Sequence, residues 1–360
     1  MVAPFKRSMI SRMATEFSSE IDYTITSTRY PTPEWGDMNF REKLDEKMLG
    51  GASVSDMVRK FKPDLVYSDS PLYATQFEVV SFLLRKKLPL VLHLRGDIWR
   101  EHFAAFASAS AKRRILSLQQ NAYDWAAVLL AAKVTPICQW LQTVVRRHVP
   151  RKRCEVVYQG VDPNQFLPEP GGKPTLEVLK PAVAIVQNHS VLPKVQGLLG
   201  FKSVVERLPR VHFYVAEGEA WAQQYLRSVK EHYAHTPNVH FVKDITTPKT
   251  VSRLITACDF YVLASGLDCC PTTVLEASLL ERPVLGSRVG GVPETIRYGY
   301  TGWSIENGFV DEWINRIEAL TNDAKLCRRL GIQGRRWVSE KFGWATIALQ
   351  VERLIIHEVA

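Results

Sequence analysis

The sequence predicts an α/β protein made of two doubly wound parallel-sheet domains in series. Three observations predict it. Helical apolar spacing alternates with short, near-continuous apolar runs, and that alternation stops in a Pro-rich stretch before starting again. The third is length: 360 residues exceed what one compact core usually takes. At 46% apolar and 23% charged residues, the chain has too much to bury to be disordered. Its longest unbroken apolar run, Trp125 to Ala132, falls far short of the roughly 20 residues that span a bilayer.

The elements follow in order. Phe5 to Ser18 carries apolar residues at helical spacing, and Asp22 to Thr26 reads as a strand. Met1 to Pro4 resembles the end of a first strand, either short or truncated. A helix over Ser53 to Phe61 ends at Pro63, and Asp64 to Tyr67 is a strand running into polar Ser68-Asp69-Ser70. Thr75 to Arg85 is a helix, Leu88 to Leu94 a buried strand, and Ile98 to Gln120 and Asn121 to Leu130 are helices. Val134 to Ile137 and Cys154 to Tyr158 complete the first strand set. Five prolines and a Gly-Gly pair fall between Pro163 and Pro181, the composition of a linker. Beyond it, Ala182 to Val186, Val211 to Val215, Val239 to Val242, Phe260 to Leu263 and Val284-Leu285 are strands with helices between them. The expected domains are 1–163 and 182–341, a linker over 164–181, and a helical tail over 342–360 that completes the first domain.

Charge is uneven. Through Gln165 there are 24 Lys and Arg against 17 Asp and Glu, so +7 of the total +9 sits in the first half. Such a half attracts anions, whether lipid, nucleic acid or a phosphorylated molecule, unless the cations are merely solvated. Trp99 to Phe106 with Lys112, Arg113 and Arg114, and Arg146 and Arg147 with Arg151 to Arg153, are candidates for peripheral contact with anionic lipid; in the other reading Phe103 and Phe106 are core. None of the six cysteines forms a CxxC pair, and vicinal Cys269-Cys270 makes a poor disulfide, so reduced thiols are expected. With no signal-like opening, the expected location is cytoplasmic, with possible peripheral contact at the inner membrane face.

The most informative stretch is Asp259 to Glu294. A strand ends at Ser265-Gly266-Leu267-Asp268, and Cys269-Cys270-Pro271 leads into a helix, Thr272 to Leu279. Proline suits a first helical turn. The amides of Thr272 and Thr273 then point out of the positive helix end, a site for a diphosphate. Glu276 lies one turn on, where a carboxylate accepts ribose hydroxyls. Gly290 and Gly291 let backbone approach a ligand.

In this order the motifs resemble those of the family 4 glycosyltransferases, which retain anomeric configuration and share the two-Rossmann GT-B fold. The resemblance rests on Ser265-x-x-Asp268-x7-Glu276-Ala277, Arg282-Pro283-Val284, Gly290-Gly291-Val292-Pro293-Glu294 and Gly299-Tyr300-Thr301-Gly302. It extends to Gly160-Val161-Asp162 with Phe166, to Gly334-Arg335 and to Phe342-Gly343-Trp344. It implies two domains facing each other across a cleft. It also implies hexose transfer from a nucleoside-diphosphate sugar to a glycan, lipid-linked or small-molecule acceptor, as in polysaccharide or glycoconjugate synthesis. Asp268 stands where the family has glutamate. Lys194 keeps the family's cation, and its arginine falls on His189, cationic only when protonated. Expected catalytic residues are therefore Asp268, Lys194, His189 and Arg95. Glu276, Thr272, Thr273, Cys270, Gly291 and Asn188 are expected to bind donor. Arg95-Gly96-Asp97 stands where the family has His-Gly, so Asp97 is expected to line the acceptor side, while His93 reads either that way or as a core histidine.

No cofactor and no metal are expected, since Asp69 and Asp97 are too isolated to form a metal pair. A nicotinamide enzyme would need GxGxxG, which is missing. A nucleic-acid partner would need a recognition motif, and none is found. An epimerase, a phosphorylase or a non-catalytic nucleotide-sugar binder of the same fold are the alternatives.

Overall fold

The computed structural model describes residues 16–18, 21, 25–27, 48–50, 58–60, 62–69, 74, 78–79, 81–82, 88–100, 111–168, 176–218 and 223–359. The predicted Phe5 to Ser18 helix, the Met1 to Pro4 stub, Phe103 and Phe106 lie wholly or almost wholly outside them. The chain divides into two compact units, 1–160 with 344–360, and 161–343.

The first unit carries β1 (Ile25–Ser27), β2 (Met48–Gly50), β3 (Val66–Ser68) and β4 (Leu90–Leu94). Then come α1 (Ala111–Leu130), β5 (Lys133–Pro136) and α2 (Gln139–His148). All strand pairs are parallel: β1 with β2, and β3-β4-β5. β3, β4 and β5 are buried along their whole length, as continuous apolar runs under helices should be.

Three expectations change here. Asn121 does not divide two helices, because α1 runs through it. Cys154 to Tyr158 is not a full strand; Cys154 makes one bridge to Val134, and Val157 donates to the Pro136 carbonyl at 3.0 Å. The sequence reading also lacked α2. Its N-cap is Cys138, whose Sγ accepts from the Leu141 amide at 3.4 Å in place of the usual hydroxyl or carboxylate.

The second unit holds β6 (Ala182–Ile185), α3 (Leu192–Gly200), α4 (Lys202–Glu206), β7 (His212–Ala216), α5 (Leu226–His232) and β8 (Val239–Val242). It continues with α6 (Pro248–Ala257), β9 (Phe260–Leu263), α7 (Thr272–Leu279), β10 (Val284–Ser287) and, after a 3-10 turn at Val292–Thr295, β11 (Gly302–Ile305). α8 (Val310–Asn322) and α9 (Ala324–Phe342) close it. The six strands are all parallel in the order β11-β10-β9-β6-β7-β8. The order reverses beside β6, where doubly wound sheets bind ligands at their carboxyl ends. β11 was not expected; its four residues follow directly on a Gly-x-Thr-Gly turn and leave little pattern to read.

The Val161–Pro168 segment is anchored rather than loose. Arg335 donates to the carbonyls of Phe166 at 2.7 Å and Pro163 at 3.1 Å, and also to that of Leu279 at the end of α7. α10 (Trp344–Val359) belongs to the first unit. There its Ile347, Ala348, Val351 and Leu354 pack on Tyr67, Val91 and Val157.

Candidate functional site

The site in the second unit is built where β9 ends. The Ser265 amide donates to Ser287 Oγ at 3.0 Å, and Asn307 Nδ2 donates to the Ser265 carbonyl at 3.0 Å. The turn is therefore fixed from both sides. A Cβ on Gly197 would stand 2.1 Å from the Ser265 carbonyl carbon, so only glycine lets α3 lie this close. That approach carries Lys194, in the first turn of α3, to Asp268: Nζ to Oδ2 is 2.8 Å. Oδ1 of the same carboxylate accepts from the Cys269 amide at 2.9 Å. The Gly290-Gly291 loop holds the other side. Gly290 has φ +52°, a side chain there would meet the Asp268 carbonyl at 2.1 Å, and the Gly291 amide donates to that carbonyl at 2.9 Å.

α7 starts beside this pair. Pro271 caps it in extended geometry, so the amides of Thr272 and Thr273 occupy the first turn at the positive helix end. The Tyr261 hydroxyl donates to the Val186 carbonyl at 2.7 Å and lies 2.7 Å from Thr273 Oγ1, tying α7 to β9 and to the residue after β6. Burial, with the negative fields of Glu276 and Asp268 adding to it, keeps that phenol protonated. Cys270 is buried, and Glu276 is half-buried one turn along. Thr272, Thr273, Glu276, Lys194 and Asp268 thus share one end of the sheet. Sequence reasoning did not single out Tyr261; a tyrosine inside an apolar strand gives no signal of its own.

His189 is placed differently from the expectation. It is fully buried, and Nε2 donates to the Ala216 carbonyl at 2.8 Å while Nδ1 has no partner. Burial lowers its pKa, so the ring is neutral and gives no charge to a phosphate. Asn188 forms a local turn, its Oδ1 accepting from the Ser190 amide at 2.7 Å and from the Ser190 hydroxyl at 2.6 Å.

In the first unit, Asp97 is buried and caps a helical turn, accepting from the Arg100 amide at 3.1 Å. His93 is buried, with Nδ1 3.2 Å from the Tyr67 hydroxyl and 3.1 Å from that of Thr135. Burial pushes its pKa down to about 3. Arg95, half-exposed, lies 4.0 Å from Asp69. The basic patch is partly structural. Lys152 Nζ donates to the Leu129 carbonyl at 2.8 Å and to that of Ala131, capping the end of α1, and Arg153 pairs with Glu358 of α10 at 2.7 Å. Trp99 stacks on His148, ring centroids 4.3 Å apart. Among the described residues no helix is long and apolar enough to cross a membrane, and no group of three His, Cys, Asp or Glu is placed to hold a metal ion.

Residues 188–337 match the glycosyl transferases group 1 family. That span contains every residue of the second-unit site. N-acetyl-alpha-D-glucosaminyl L-malate synthase of Bacillus anthracis is 33% identical over 104 residues, 29% of this chain and 27% of that protein. The chain thus aligns with about a quarter of that enzyme. It is 23% identical over 269 residues to the GDP-mannose-dependent alpha-(1-6)-phosphatidylinositol monomannoside mannosyltransferase of Mycobacterium tuberculosis, covering 68% of this chain and 69% of that one. The structure of Anabaena HepE in complex with UDP superposes with a TM-score of 0.75 at 18% identity, over 99% of this chain and 98% of that one. The fold is the two-domain parallel-sheet fold of such GT-B glycosyltransferase structures, and family and relatives together support a glycosyltransferase.

Proposed function

We propose that the chain transfers a hexose from a nucleoside-diphosphate sugar to an acceptor hydroxyl, with retention of anomeric configuration. The observation that carries this reading is the Lys194–Asp268 pair, 2.8 Å long and set beside the first turn of α7. A cation, a helix N-terminus and a carboxylate one turn along make a complementary set for a nucleoside diphosphate. The helix amides and Lys194 take the two phosphates. Glu276 takes the ribose hydroxyls, and Asp268 the hydroxyls of the sugar.

The chemistry asks little more. The bond from the anomeric carbon to the β-phosphate oxygen breaks and its electron pair leaves with the diphosphate. The acceptor oxygen bonds to that carbon from the same face, and its proton passes to the departing phosphate. Positive groups aimed at the phosphate stabilise charge that grows only as the bond breaks, which is where electrostatic preorganisation speeds a reaction. With His189 neutral and internal, Lys194 and the amides of α7 carry this task. The experiment is product analysis with radiolabelled UDP- and GDP-sugars, with and without a cell-extract acceptor fraction. Label moving into an acceptor supports transfer. Label recovered only as an epimer or a sugar phosphate, or no turnover of any donor, counts against it.

A further inference from the structure

Two histidines of the second unit meet away from the donor site. β7 and β8 run parallel, with Tyr214 opposite His240, and β8 is the last strand at one edge of the six-stranded sheet. Side chains alternate along a strand. Phe213, Val215, Val239 and Phe241 point to one face, where they join the apolar core. His212, Tyr214 and His240 therefore share the other. His212 opens β7 and His240 is the second residue of β8, so the pair lies toward the amino ends of these strands. Lys194 and Asp268 lie beyond the carboxyl ends of β6 and β9 in the same sheet.

The two rings converge. His212 Nδ1 lies 3.1 Å from His240 Nε2, and both residues are half-buried. Tyr214 holds the second ring. It stacks on His240 with centroids 4.7 Å apart and 24° between the planes, and its hydroxyl accepts from the Leu179 amide at 2.7 Å. The separation of the two nitrogens also fits a shared metal ion. At metal–nitrogen distances of about 2.0–2.1 Å, two adjacent ligands of a tetrahedral or octahedral ion stand about 2.9–3.4 Å apart. Imidazole suits zinc, copper and nickel, whereas magnesium and calcium take oxygen ligands.

We propose that His212 Nδ1 and His240 Nε2 form a two-histidine site for a divalent ion of the zinc type, which clips edge strand β8 to β7. The hydrogen between the rings moves to the far nitrogen of the ring that carried it. Both lone pairs then face the ion, and neither ring gains or loses a proton. Water fills the remaining positions. The clip acts where the sheet is held least: every residue of β8 is half-buried, and in the described sheet β8 has a strand on one side only. The site needs neither a nucleotide nor an acceptor, so it stands apart from the transfer reading.

The test is calorimetric titration of zinc chloride into the full chain, kept reduced by a thiol-free reductant. Wild type should take up one ion at this site. His212→Ala and His240→Ala should each weaken that uptake about tenfold or more, with circular dichroism unchanged. His235→Ala, at an exposed histidine of the same unit, should leave it as it was. Cupric ion gives a spectroscopic check on the same proteins. Its electron paramagnetic resonance should show coupling to two imidazole nitrogens in wild type and to one in either variant. Zinc should also slow amide hydrogen exchange along β8 in wild type alone. No uptake by wild type, or uptake undiminished in both variants, overturns the proposal. A copper spectrum with the same nitrogen coupling in all three proteins overturns it as well.

Discussion

Lys194 Nζ lies 2.8 Å from Asp268 Oδ2, with 24% and 13% of the two side chains exposed. The pair joins α3 to the loop before α7, and its distance follows from backbone contact at Gly197. A partly buried cation that already has a carboxylate partner stays ordered before any ligand arrives. A diphosphate bound at α7 then draws on charge that is held in position, without a reorganisation step.

Replacing that cation should therefore affect turnover most. Lys194→Ala is expected to lower the rate at saturating donor by about 10²–10³-fold, with a smaller change in nucleoside-diphosphate affinity. Steady-state kinetics beside calorimetry check it. An unchanged rate would remove Lys194 from the mechanism.

Glu276→Ala should act on binding. Losing a carboxylate that accepts two hydroxyls costs roughly 1.5–3 kcal/mol, or about 10–100-fold in Kd. Calorimetry with UDP and GDP reads the change, and circular dichroism should show the fold intact. Unaltered affinity for both nucleotides means that the ribose lies elsewhere.

His189 yields a prediction about pH. Burial lowers its pKa, so the ring is neutral above its ordinary value near 6.5 and adds no step to the rate between pH 6.5 and 7.5. A rate that declines through that window in wild type, and is flattened by His189→Arg, would show that the ring works as a cation.

Asp69 yields a prediction about stability and pH. Its carboxyl titrates near 6 in the folded protein against 3.8 ordinarily, so between those values the folded state holds more protons than the unfolded. This group's contribution to stability thus falls as pH rises from about 4 to about 6, by up to about 3 kcal/mol. Asp69→Asn removes the loss. Its melting temperature relative to wild type should climb across that window and then level off. A constant difference from pH 4 to 7 would mean that Asp69 ionises normally.

Gly290→Ala should disturb the site without unfolding the unit. The residue sits at φ +52°, and an added methyl would meet the Asp268 carbonyl. Destabilisation of more than about 1 kcal/mol is expected, with loss of donor binding. Normal nucleotide affinity in this variant would separate the loop from the site.

Much of this was legible because it depends on local rules. Thr272–Leu279 is helical over the predicted span, since Pro271 suits a helix start and Leu275, Glu276, Ala277 and Leu279 are good helix formers. The strands β6 to β10 were visible as largely apolar runs for the same kind of reason. What escaped depends on packing between distant segments. His189 falls where the resemblance puts an arginine, and only the tertiary fold shows it turned inward to Ala216. Asp69 between two serines looks like an ordinary polar strand end, and only the sheet shows that its side chain is buried. α2 was hidden by its unusual cysteine cap, and β11 by the turn that begins it.

The donor site can be tested most directly by a crystal structure of the chain soaked with UDP or GDP. Expected is a diphosphate on the amides of Thr272 and Thr273 and on Lys194, with the ribose hydroxyls on Glu276 and Asp268 left facing the β-phosphate side. A nucleotide bound elsewhere, or one whose ribose lies beyond hydrogen-bond distance of Glu276, would contradict the assignment of this site.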